Sequence, residues 1–192
     1  MKHDMQNMKG IHSQEAINLR VGMNNLLREH VTTNLTVNRS IVSDAPQAVI
    51  DAGLKAQMAN TDGLAAAVGS VYGEEAQAQF SEMFDEHIVE SNAIAQAIES
   101  GDDSAKAEAE VELQEYLAEI STFFSTAIPV LSYDAVYGLL AEHENLINQS
   151  TEAFNNGDYY RSYHLEAEAL VQVSTIADAL AKGIVATQPN KF

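Results

Sequence analysis

The 192-residue chain contains no cysteine. Disulfides, thiol nucleophiles, iron–sulfur clusters and thiolate zinc sites are thereby excluded. Basic residues are scarce: ten Lys and Arg stand against 28 Asp and Glu, a net charge of −18. Such a surface repels a phosphate backbone and an anionic bilayer, which argues against nucleic acid and membrane-surface partners and favours cations. No run approaches the roughly 18 apolar residues of a membrane span, so no membrane insertion is expected. The opening MKHDMQNMKG lacks the apolar stretch of a secretory signal. The expectation is therefore a cytoplasmic protein, or an exported one whose signal has been removed. Nucleophile-elbow, P-loop, dinucleotide and D-x-D-x-D-G calcium motifs are missing as well. No catalytic residue is assigned, and a non-enzymatic protein is expected.

Proline occurs only at Pro46, Pro129 and Pro189. Between these breaks, apolar residues recur at three- and four-residue spacing without sustained alternation, the pattern of an all-α protein. Helices are expected near 13–42, 45–69, 74–99, 103–127, 133–155 and 158–186, preceded by a disordered segment over 1–12. The breaks carry local chemistry. Asp44-Ala45-Pro46-Gln47 offers an N-cap, a proline in the first turn and a capping-box glutamine. Tyr72-Gly73-Glu74-Glu75, Ser100-Gly101-Asp102-Asp103 and Asn156-Gly157-Asp158 pair a glycine stop with an acidic start. Ile128-Pro129 ends the fourth helix, and Ser132 can cap the fifth.

A repeat runs through this pattern. LREH at 27–30, FDEH at 84–87 and LAEH at 140–143 place His30, His87 and His143 at separations of 57 and 56 residues. Each histidine precedes a turn residue by 14 positions: Asp44, Gly101 and Gly157. In the second helices, Phe124 and Ile128 align with Leu180 and Ile184, and Leu64 and Val68 fit after a three-residue deletion. The chain thus reads as three homologous helical hairpins, over about 13–72, 73–130 and 131–188. They form one domain over 13–192, with six antiparallel helices in an up-down bundle.

Helical spacing puts each histidine on or beside a buried stripe. The stripes are Leu26, His30, Val37 and Ile41; Phe80, Phe84, His87 and Ser91; and Val136, Leu139, His143, Leu146 and Ser150. The preceding Glu29, Glu86 and Glu142 lie about 100° away and face solvent or a neighbouring helix. If the first, third and fifth helices run parallel, the three imidazoles meet at one height. Neutral imidazole suits copper, zinc, nickel or iron, and three such ligands match a zinc site with one open position. His164 on the sixth helix is a candidate fourth ligand, although Glu108 takes its place in the second copy. The competing reading is structural: histidines that bond carbonyls or carboxylates between helices.

Two other features carry possible chemistry. Met1-Lys2-His3, with Met5, Met8 and His12 behind it, has the donors of a square-planar Cu(II) hook. Tyr159, Tyr160 and Tyr163, with Tyr133 and Tyr137, are expected to pack between hairpins with their hydroxyls in water.

The motifs LREHVTT (27–33), SVYG (70–73), FDEH (84–87), NGDY (156–159) and ALAKGIVATQPNKF (179–192) follow one another along the chain. In these, over about 19–192, the chain resembles the helical region of Gram-positive bacterial cell-surface proteins described as copper amine oxidase N-terminal domain-containing. The resemblance implies an exported, extracellular or cell-surface protein, and it puts His30, His87 and His143, but not His164, in motif positions. It implies no oxidase activity. The functional expectation is a non-enzymatic binding or structural module, holding a transition metal such as copper or zinc through inward-facing histidines. The alternatives are a metalloenzyme or haem-binding bundle on the same residues, and a scaffold for a cell-surface protein partner.

Overall fold

The computed structural model describes residues 12–192. The described residues are all-α, with six helices and no strand: α1 Gln14–Val42, α2 Gln47–Tyr72, α3 Glu74–Ser100, α4 Asp103–Ala127, α5 Tyr133–Asn155 and α6 Tyr159–Thr187. The observed ends lie within about three residues of those expected. The Met1-Lys2-His3 hook and nearly all of the segment 1–12 fall outside the described residues.

The helix ends follow from local chemistry. Ser13, Asp102, Ser132 and Asp158 each accept a hydrogen bond from a first-turn amide, satisfying donors that a helix leaves unpaired. The stops of α1, α3 and α5 are alike. Asp44 (φ 51°), Gly101 (φ 68°) and Gly157 (φ 78°) are left-handed. The next amide then reaches back five residues, from Ala45 to Ser40, Asp102 to Ala97 and Asp158 to Ala153. This is the Schellman closure, repeated at the three positions that the repeat aligns. One expectation is corrected. Asp44 does not cap α2; its left-handed backbone is spent on ending α1. Pro46 precedes α2 without any side-chain cap, and Gln47 bonds Asp51 rather than closing a capping box.

Helix packing follows a simple order. Each helix packs against its sequence neighbours, and α6 packs against α1. In addition, α1, α3 and α5 touch one another. These three are inner helices, and each of α2, α4 and α6 lies against two of them. The core runs through all six, with Val31, Leu35, Ile88, Leu117, Ile120, Ile128 and Ile147 almost fully buried. Gly183 lets Ile128 approach α6 so closely that an added Cβ would meet its Cγ2 at 2.4 Å. By length and composition α6 is apolar enough to cross a membrane, contrary to the expectation from the sequence. However, 56% of that window is buried among the other helices, as in a core helix.

Candidate functional site

The inner helices bring three sequence-predicted residues together. His30, His87 and His143 come from α1, α3 and α5, and all are buried. The His30 ring centroid lies 5.5 Å from that of His87 and 5.8 Å from that of His143. Two imidazoles on one tetrahedral ion, with bonds of about 2 Å, have centroids roughly 5 Å apart. The observed spacing is slightly wider. Among the described residues, no three His, Asp or Glu side chains are already spaced as an ion-binding group. The rings of His87 and His143 are thus both in packing contact with that of His30.

The fourth predicted residue is elsewhere. His164 is exposed on α6, where its Nε2 lies 3.3 Å from Glu168 and its ring stacks on Tyr160. It takes no part in the cluster. Glu29, Glu86 and Glu142 are exposed, as their 100° offset requires.

A fourth group in the cluster was missed by sequence reasoning. Glu144 is 5% exposed. Its Oε1 lies 3.6 Å from His87 Nε2 and 4.0 Å from His143 Nε2. The signal was present in the repeat. Val31 and Ile88 follow the first two histidines and are buried, whereas the third copy puts a carboxyl at the same place. A charged group at a core position is rarely neutral in meaning.

Burial sets the charge state of the cluster. It lowers all three histidines: His87 to about 3, with help from His143, and His143 to about 4. His30 is held well below its ordinary value by burial and then by the other two rings. Burial also raises Glu144 to about 8, with a contribution from Glu90. At neutral pH the group is therefore uncharged, with a protonated carboxyl beside imidazoles that retain lone pairs. The Nδ1 atoms of His87 and His143 are buried without a hydrogen-bond partner. Tyr116 stacks on His87 at 4.6 Å, and Phe84 stands edge-on to His30 and His87.

The surroundings differ on the two sides of this layer. Toward the C-terminal ends of the inner helices the interior is polar. Asn34 donates to Ser91 at 3.1 Å, and Asn38 donates to Asn34 at 2.9 Å and to Thr151 at 3.3 Å, all buried. Toward their N-terminal ends it is aromatic and aliphatic. Outward, Glu144 also lines a surface pocket of about 370 Å³ between α4 and α5, with Glu110, Gln114, Asn145 and Asn148. Glu90, one turn after His87, is raised to about 7 by partial burial and then by Glu86, Glu112, Glu119 and Glu115.

Of the tyrosines, Tyr116 stacks on the cluster, whereas those opening α6 lie outside it. Tyr159, Tyr160 and Tyr163 are exposed, while the Arg39 guanidinium lies 4.5 Å from the Tyr163 ring centre. Comparison of the chain with protein-family models, curated proteins and solved structures finds no match.

Proposed function

We propose that this protein is a non-enzymatic, extracellular helical-bundle module that binds one transition-metal ion, copper or zinc, through His30, His87, His143 and Glu144. The observation that carries the reading is the convergence of three neutral imidazoles and one carboxyl in a buried layer. The Nε2 atoms of His87 and His143 both face Glu144 Oε1, at 3.6 and 4.0 Å, and an ion would sit on that edge of the rings. Imidazole with a single carboxylate is a donor set for borderline cations, and no thiolate competes. The ion would displace the Glu144 proton and replace it as the group's positive charge. Glu144 is also the ligand that meets the α4–α5 pocket, whose acidic rim at Glu110 offers a cation a route inward. The extracellular placement rests on the family resemblance. The pocket on the aromatic side of the layer, about 60 Å³, is far smaller than a haem.

The same reading includes the architecture. The six helices are three copies of one hairpin, arranged up and down. This is supported by the matched left-handed stops at 44, 101 and 157 and by the inner triangle of α1, α3 and α5.

His87→Phe tests the site. Phenylalanine keeps the aromatic stack on Tyr116 and fills the volume, so the metal-free protein should stay within about 1.5 kcal/mol of wild type. Wild type should take up one equivalent of Cu(II) or Zn(II) and gain roughly 3 kcal/mol of stability at 100-fold excess over Kd. The variant should show neither. If tag-free wild type binds no ion by elemental analysis and calorimetry, or the variant binds as well as wild type, the reading fails.

A further inference from the structure

On the aromatic side of the histidine layer lies an apolar pocket of about 60 Å³. All six helices contribute to its wall, among them Leu27, Leu64, Phe84, Tyr116, Ile120 and Ile176. Of these, Leu64 and Ile120 are buried at 5% and 1% exposure. The lining is almost wholly carbon. A water molecule needs two to four polar partners to occupy such a space, and this wall does not provide them. The volume also excludes larger guests. An engineered cavity of about 150 Å³ accommodates benzene, and this one is well under half of that. What remains is a molecule of one or two heavy atoms with no hydrogen-bonding needs.

We propose that this cavity is a binding site for one small apolar gas molecule, of the dioxygen class. Its position gives the site a further property. Phe84 and Tyr116 form part of its wall and at the same time touch the imidazoles, Phe84 at 4.9 Å from the His30 ring centre and Tyr116 at 4.6 Å from that of His87. A guest is therefore separated from the histidine layer by one aromatic ring. The cavity does not depend on an ion being bound, because its wall contains none of the four proposed ligands.

The test uses the metal-free full-length protein, so its outcome is independent of the ion-binding reading. Xenon and dissolved dioxygen are applied under pressure to methyl-labelled protein. Saturable xenon shifts, and paramagnetic relaxation by dioxygen, are expected together at the methyls of Leu64, Ile120 and Ile176, well above the effect at exposed Val89 and Val171. Leu64→Phe, which narrows the space, should lower xenon occupancy at least tenfold. A crystal grown from wild type and pressurised with xenon should show one peak between Leu64, Tyr116 and Ile176, whether or not the variant folds. The proposal is overturned if neither gas singles out these methyls and no xenon peak lies there, or if a folded Leu64→Phe protein takes up xenon as wild type does.

Discussion

Glu144→Ile isolates what the buried carboxyl costs. Its neighbours in the repeat are Val31 and Ile88, so isoleucine is the residue that the fold accepts at that depth. In the unfolded chain the carboxyl has its ordinary value of 4.5, and in the folded protein it is raised to about 8. A raised folded value means that its contribution to stability is fully present below about 4.5 and is lost as pH rises through about 8. At pH 7 the unfolded carboxyl is ionised and the folded one is not. At about 1.4 kcal/mol per pH unit, this corresponds to roughly 3 kcal/mol of lost stability. The isoleucine protein carries no such loss. In EDTA-treated samples its melting temperature at pH 7 should exceed that of wild type by roughly 6–12 °C, given 2–4 °C per kcal/mol at this size. The gap should shrink toward pH 4. Burial-lowered histidines near 3 and 4 titrate in both proteins and cancel from the comparison. Urea and thermal unfolding at pH 4, 5.5, 7 and 8.5 provide the assay. An isoleucine variant less stable than wild type at pH 7, or a gap that does not change with pH, would refute the reasoning. The same variant should lose at least tenfold in ion affinity, so stability and binding move in opposite directions.

Two further outcomes follow from residues that depart from the repeat. Gln57 is buried with both amide atoms unbonded, while Leu117 and Val173 fill the matching places when the second helices are aligned on Leu64, Phe124 and Leu180. Gln57→Leu should therefore raise stability by about 1–3 kcal/mol in chemical denaturation, and a loss would show that the amide has an essential partner. Asp44 holds the left-handed position that Gly101 and Gly157 hold elsewhere. Asp44→Gly should add about 0.5–1 kcal/mol by relieving that backbone, measured as a rise in the denaturation midpoint; a fall would assign the carboxylate a bonding role.

Much of the architecture could be read from the residues. The spacing of His30, His87 and His143 and their 14-residue distance to each turn carried enough phase to place three rings in one layer. The glycine and acid pairs at 101–102 and 157–158 marked helix ends closely. Asp44 was harder, because an aspartate before Ala-Pro reads equally well as a cap for the following helix or a left-handed stop for the preceding one; only the reach of the Ala45 amide to Ser40 decides it. Glu144 was obscured for a geometric reason. Helical spacing from Val136 runs the α5 stripe through Leu146, but Ile147 is the buried residue, and this small rotation brings position 144 inward. His164 shared only a residue type with the cluster, and its place on an outer helix keeps it in solvent.

The histidines of the central layer come from segments about 56 residues apart along the chain. An ion gripped by all of them would act as a rivet through three plies of one ribbon. It would close two long loops at once and remove their freedom from the unfolded chain. A backbone nick at 44 or 101 would then leave pieces that travel together while the rivet is in place and drift apart when a chelator draws it out.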